Sequence, residues 1–154
     1  MFTLTDVLSI AITIEENGEA SYRSLASRST APAVRAALLQ LAEDEAAHAR
    51  TFAGWKKEFT GVRVSSPLEK MARLMLKEAV GDRSFGLDEV AEKDLASVSD
   101  CLKLAANLEE DTVVFYETLA PFLPPDPQTE AGLLRIIEEE KKHKKKLGEM
   151  LASC

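Results

Sequence analysis

Two segments of this chain carry the same pattern, and that repeat constrains the fold more than any other feature. Leu8, Ala11, Glu15, Tyr22, Leu25 and Ala26 recur as Leu102, Ala105, Glu109, Tyr116, Leu119 and Ala120, each 94 positions on. Leu38, Glu45 and His48 recur as Leu133, Glu140 and His143, each 95 positions on. In both segments the apolar residues advance by threes and fours, the period of a helix with one buried face. The repeated unit is therefore a pair of helices. Two such hairpins predict an all-α fold with approximate two-fold symmetry.

The periodicity places helices at about 4–28, 31–58, 95–123 and 127–152, within one domain over residues 1–154. Ser29-Thr30-Ala31-Pro32 links the first two, offering a capping hydroxyl and then a proline for the first turn. Pro124-Pro125 stops the third helix, and Asp126 followed by Pro127 starts the fourth. Between the hairpins lies a crossover, residues 60–94, punctuated by Gly61, Pro67, Gly81 and Gly86. Short helices are expected there at Leu68–Ala79 and Leu87–Lys93. Two antiparallel hairpins joined by one long crossover make the ferritin-like form of the four-helix bundle. An up-down bundle with an inserted lid is the alternative that the pattern leaves open.

Composition narrows the function. Asp and Glu number 26 against 19 Lys and Arg, a net charge of -7. General nucleic-acid binding, which needs a basic footprint, is not expected. No apolar run reaches the ~20 residues that span a bilayer, and no signal peptide is read at the N-terminus. Cys101 and Cys154 stand far apart, with no CxxC pair to hold zinc, a rubredoxin-type iron or a disulfide framework. A cytoplasmic protein is the expectation.

The buried stripe of the second helix reads Val34, Leu38, Leu41, Glu45, His48, Phe52, Trp55. That of the fourth reads Leu133, Ile136, Glu140, His143, Leu147, Met150. Glu and His stand where the seam requires apolar residues. Glu15 and Glu109 do the same in the first and third helices. Four carboxylates would then meet inside the bundle at mid-height. Buried carboxylates without partners protonate or find a cation, and no arginine occupies a matching seam position. Two divalent metals would balance four carboxylates and two neutral imidazoles. The i, i+3 spacing of each Glu-x-x-His puts both donors on one helix face. One Glu from each of two helices plus Glu-x-x-His from the other two is the layout of di-iron and di-manganese carboxylate proteins. The chain has two histidines in all, and both sit in such a motif.

Other features read more plainly. Glu16, Glu43, Glu110, Glu138 and Glu139 fall off the seam and are expected to be solvated. Tyr22 and Tyr116 are either ordinary core residues or hydrogen-bond partners of the metal-binding carboxylates. The run Lys141-Lys142-His143-Lys144-Lys145-Lys146 reads as a solvated helix face near a C-terminus, with docking of an acidic redox partner as the second reading. Trp55 is expected in the core near a bundle end. Gly18 and Thr112 are small, which suggests open space for a diatomic ligand beside the centre. Cys101 and Cys154 receive no role.

Residues Glu15-Glu16-Asn17-Gly18-Glu19-Ala20-Ser21-Tyr22 and Leu41-Ala42-Glu43-Asp44-Glu45-Ala46-Ala47-His48-Ala49, with their counterparts around Glu109–Tyr116 and Glu140–His143, resemble the rubrerythrin-like branch of the ferritin-like superfamily. The resemblance runs through nearly the whole chain. It implies a di-iron centre of two iron ions. Glu45 and Glu140 would bridge them, with His48, His143, Glu15 and Glu109 as terminal ligands. It also implies reduction of hydrogen peroxide, or Fe(II) oxidation by dioxygen or peroxide, in a homodimer. Manganese or zinc suits the same donors, so a manganese catalase-like protein is a further option. Two departures modify this. The rubredoxin-type CxxC pairs are absent, so electrons would come from an external donor such as a rubredoxin-type protein. Thr112 stands where rubrerythrins carry an extra glutamate, which leaves a symmetric site more like that of bacterioferritin. The haem-ligating methionine of bacterioferritin is Ala46 here, so haem and cage assembly are not expected.

Overall fold

The structure is a computed structural model that describes residues 2–84 and 98–153, the side chains of 80–84 excepted. Its first hairpin is α1 (Leu4–Arg28) and α2 (Pro32–Glu58). Helix α3 spans Ser66–Ser84. The second hairpin is α4 (Val98–Leu119) and α5 (Pro127–Ala152).

Local chemistry sets most of these ends. Thr3 and Asp6 form a capping box at the start of α1: Asp6 N–H donates to Thr3 Oγ1, and Thr3 N–H donates to Asp6 Oδ2 at 2.7 Å. Asp126 accepts from Thr129 N–H at 3.1 Å and opens α5, with Pro127 in its first turn. The start of α2 departs from expectation. Ala31 is the residue before the helix, and no side chain caps it. Pro32 takes the first helical position, which moves Ser29 and Thr30 too far back to reach the exposed amides. Gly61, after α2, has φ +78°, a left-handed turn that glycine adopts without steric penalty. It lets the chain fold back so that Leu4 N–H donates to Val62 C=O at 2.8 Å.

Helix α4 ends at Leu119 rather than near Leu123, and Ala120–Phe122 tighten into a 3-10 turn. Pro121 has no N–H to give the carbonyl four residues back, so the α-helical ladder stops before Pro124 is reached. Helix α3 is longer than the expected Leu68–Ala79, because Gly81 is tolerated inside it. The expected start of α4 at 95 and the second crossover helix, Leu87–Lys93, fall outside the described residues.

Two apolar clusters fill the bundle. One gathers Leu4, Leu8 and Ala11 of α1, Phe52 of α2, Phe115, Tyr116 and Leu119 of α4, and Leu133 and Ile136 of α5. The other gathers Tyr22 and Leu25 of α1, Leu38 and Leu41 of α2, Leu102 of α4, and Leu147 and Met150 of α5. The start of α1 thus lies with the ends of α2 and α4. Helices α1 and α4 are antiparallel, and α4 begins at the end of the bundle opposite to where α2 stops. The connection must run the bundle's length, as in the ferritin-like form and unlike an up-down bundle. Helix α3 covers about 28 Å of that path at 1.5 Å per residue. It is held by Leu68, Ala72 and Met75, all buried in the first cluster.

Trp55 sits at the rim of that cluster. Its ring meets Phe52 edge-on, with centroids 5.5 Å apart, and a Cβ added at Gly132 would come within 3.0 Å of it. The Asp126→Ala variant should lose the α5 cap and about 1 kcal/mol of stability. Urea denaturation monitored by circular dichroism measures that loss.

Candidate metal centre

Between the two apolar clusters lies a polar layer. Glu15 of α1, Glu45 and His48 of α2, Glu109 of α4, and Glu140 and His143 of α5 are all buried there. All six residues expected from the sequence therefore meet. They form two overlapping groups, Glu15, Glu45, His48, Glu140 and Glu45, Glu109, Glu140, His143. Within each group every residue offers one donor atom, and those atoms lie within 4.8 Å of one another. Glu45 and Glu140 belong to both groups. The imidazoles lie 5.8 Å apart between ring centroids, nearly parallel.

The donor atoms are poorly served by the protein itself. Glu45 Oε1, both carboxylate oxygens of Glu140 and His143 Nδ1 are buried without a hydrogen-bond partner. His48 Nδ1 approaches Glu140 Oε1 at 2.8 Å, and His143 Nδ1 approaches Glu45 Oε1 at 2.9 Å. Both contacts lack the alignment a hydrogen bond needs. Such groups converge on a shared space without satisfying one another fully, and a cation placed among them would satisfy them. The donor set, oxygen plus imidazole, suits iron, manganese or zinc. The residues fit a dinuclear centre.

The surroundings hold the donors across the hairpins. Tyr22 of α1 donates its hydroxyl to Glu109 Oε1 of α4, and Tyr116 of α4 donates to Glu15 Oε1 of α1. The tyrosines thus serve the glutamate of the opposite hairpin, because α1 and α4 run antiparallel. A second pair of ties joins α2 and α5. His48 Nε2 lies 2.5 Å from Glu139 Oε2, and His143 Nε2 lies 3.1 Å from Asp44 Oδ2.

That contact corrects the reading of Glu139 as a solvated residue. It sits at the edge of the layer, 36% exposed, with one oxygen against a buried imidazole. Asp44, to which the sequence pattern assigns no role of its own, stands like Glu139 directly before the glutamate of a Glu-x-x-His, in the repeat-equivalent position. The other glutamates set aside as solvated do face water, where Glu43 pairs with Arg23, Glu110 with Lys144 and Glu138 with Lys141.

A second correction concerns Gly18. A Cβ there would lie 2.6 Å from Glu45 Oε2. The room left by the missing side chain is taken by the Glu45 carboxylate and is not open space for a diatomic ligand. Thr112, the repeat partner of Gly18, is buried and donates to Leu108 C=O at 2.7 Å.

Burial and crowding shift the titrations. Burial raises Glu45 and Glu140 well above the usual carboxylate range, and the charges of neighbouring glutamates add to it. Burial would raise Glu15 too, but hydrogen bonds from His48 and Glu45 outweigh it and hold Glu15 below its ordinary value. Burial opposes charge on the histidines, yet Glu140 and Glu15 lift His48 to about 11, and Glu109 and Glu140 lift His143 to about 10. Burial and the adjacent carboxylates push both tyrosines well above theirs. Burial and the neighbouring carboxylates thus favour the protonated forms of the two shared glutamates, the carboxylates favour those of the histidines, and a bound cation competes with those protons.

The model of the Rubrerythrin family matches residues 6–94. The chain belongs to that family. A solved structure described as a ferritin-like diiron-carboxylate protein from Thermotoga maritima is similar over 98% of this chain and 95% of its own, with a TM-score of 0.70 and 22% identity. At that identity the likeness shows the fold, and it extends through the second hairpin, beyond the family match. No curated protein matches the chain. Among the described residues no helix is long and apolar enough to cross a membrane.

Stability of the metal-free protein should depend on pH with a definite sign. His48, His143, Glu45 and Glu140 all have folded-state pKa values above their unfolded ones. The histidine contribution is complete below about pH 6.5 and is lost as pH rises toward 10 to 11. The shared glutamates act in the same direction. In chelator, the melting temperature is expected to fall from pH 6.5 to pH 10. Thermal melts across that range check it, and a rising melting temperature would contradict the arrangement.

Proposed function

We propose that this chain is a non-haem di-iron oxidoreductase that reduces hydrogen peroxide with electrons from a separate donor, such as a rubredoxin-type protein. One observation carries the reading: two groups of four donors that share Glu45 and Glu140, with buried oxygens that have no hydrogen-bond partner. Glu45 and Glu140, common to both groups, would serve both ions, with Glu15 and His48 holding one and Glu109 and His143 the other. Bound there, iron supplies Lewis acidity and the two electrons that peroxide reduction consumes.

The chain's own residues do the rest. Tyr22 and Tyr116 fix one oxygen of each terminal glutamate and leave the other for a metal. Gly18 gives the Glu45 carboxylate room to lie against α1. The two apolar clusters flank the layer and keep bulk water from it, which strengthens every electrostatic contact within. The protein is read as cytoplasmic and homodimeric.

Fe(II) oxidation with iron handling is the second reading, favoured by the symmetry of the four-glutamate, two-histidine set. Manganese in place of iron would make the same residues a catalase-like site.

Anaerobic loading with Fe(II), followed by stopped-flow mixing with hydrogen peroxide or dioxygen, separates these. About two irons per chain, oxidised faster by peroxide than by dioxygen, is the expected result. Oxidation mainly by dioxygen with continued iron uptake would select iron handling, and turnover of peroxide with manganese alone would select catalase-like chemistry. Glu45→Ala and His48→Ala are expected to abolish turnover while circular dichroism stays helical. Full peroxidase activity in either variant would sink the assignment.

A further inference from the structure

The histidines have an inward and an outward nitrogen, and the outward ones are engaged by residues that nothing above assigns to the reaction. His48 and His143 are each 3% exposed at the side chain, whereas Glu139 and Asp44 are 36% and 33% exposed. Each of these carboxylates reaches in from the surface to a buried ring. Each belongs to the opposite hairpin from the histidine it meets, and the two contacts are equivalent under the repeat. Neither looks like an accidental surface ion pair, since one partner is fully enclosed and the arrangement occurs twice.

We propose that Glu139 and Asp44 are positioning residues, which hold Nε2–H of His48 and His143 outward so that each Nδ1 presents its lone pair to a metal. The inference rests on the dinuclear reading. An imidazole has one proton to place when neutral, and the carboxylate at Nε2 decides where it goes. Fixing the tautomer also fixes the ring plane, and the anionic acceptor makes Nδ1 a stronger donor. His48 Nδ1 already lies 3.3 Å from Glu15 Oε2 and 2.8 Å from Glu140 Oε1, within one donor group. Because each carboxylate serves one histidine, its loss should weaken one metal position and spare the other.

Zn(II) is a suitable probe, being diamagnetic and accepted by oxygen and imidazole donors. Affinity is measured by competition with a chromophoric chelator, and the rings are followed in the zinc-loaded protein by 15N-histidine NMR. The wild-type chain is expected to take two zinc ions and to show Nε2–H signals for both rings. Glu139→Gln keeps the shape and removes the charge. It should weaken one of the two ions by about 10- to 100-fold and shift the His48 signal alone. Asp44→Asn should do the same to the other ion and to His143. Glu139→Asp should largely restore binding, because the equivalent position on α2 already uses an aspartate. Both substituted residues are partly exposed, and circular dichroism verifies that the helices persist. Wild-type affinity in both variants, or weakened affinity with both ring signals unmoved, overturns the inference. A wild-type chain that takes fewer than two zinc ions fails a step earlier, at the dinuclear centre itself.

Discussion

Four glutamates packed into the middle of a small helical bundle are the constraint on which the rest of this structure depends. Like charges so close in a medium of low polarity repel strongly, and removing them from water is unfavourable before any repulsion is counted. Tyrosine hydroxyls offset part of this cost at Glu15 and Glu109, and imidazoles lie beside Glu45 and Glu140, whose oxygens still lack full hydrogen bonding. The apolar clusters above and below supply the cohesion that the layer itself does not. The core is thus divided in two by a plane of charge.

The repeat explains how so many polar groups find partners at once. An antiparallel pair of like hairpins brings each residue of one unit opposite a residue of the other, so any contact that works is made twice. Tyr22 to Glu109 and Tyr116 to Glu15 are one such pair, and Glu139 to His48 and Asp44 to His143 are another. Each hairpin alone would leave its glutamate, its tyrosine and its histidine without these partners. Helix α3 has no counterpart in the repeat, and it carries the chain over part of the way between the two ends of the bundle, which the antiparallel docking requires.

The bundle and its six donors were legible in the sequence because they follow a period. A glutamate or histidine on an apolar stripe is anomalous, and the anomaly recurs at a fixed offset. What escaped was whatever depends on how helices pair. The cross-hairpin partnering of the tyrosines follows from the antiparallel placement of α1 and α4, which no periodicity within one helix reveals. Glu139 lies beside the seam and not in it, so its helix position alone reads as solvent, and only the partner helix brings a buried ring to it. Gly18 is small for the sake of a carboxylate on another helix. Pro124-Pro125 is the more conspicuous stop in the sequence, yet the single Pro121 is enough to end the α-helical ladder of α4.

Trp55 is the one tryptophan in the chain, and its place gives it a second consequence. Its indole touches Phe52, Phe52 lies 5.0 Å from Tyr116 between ring centroids, and Tyr116 holds Glu15. A row of three aromatic rings therefore leads from the rim of the bundle to a carboxylate of the buried layer. Indole emission from this chain therefore comes from a single place, separated from the buried layer by two ring contacts.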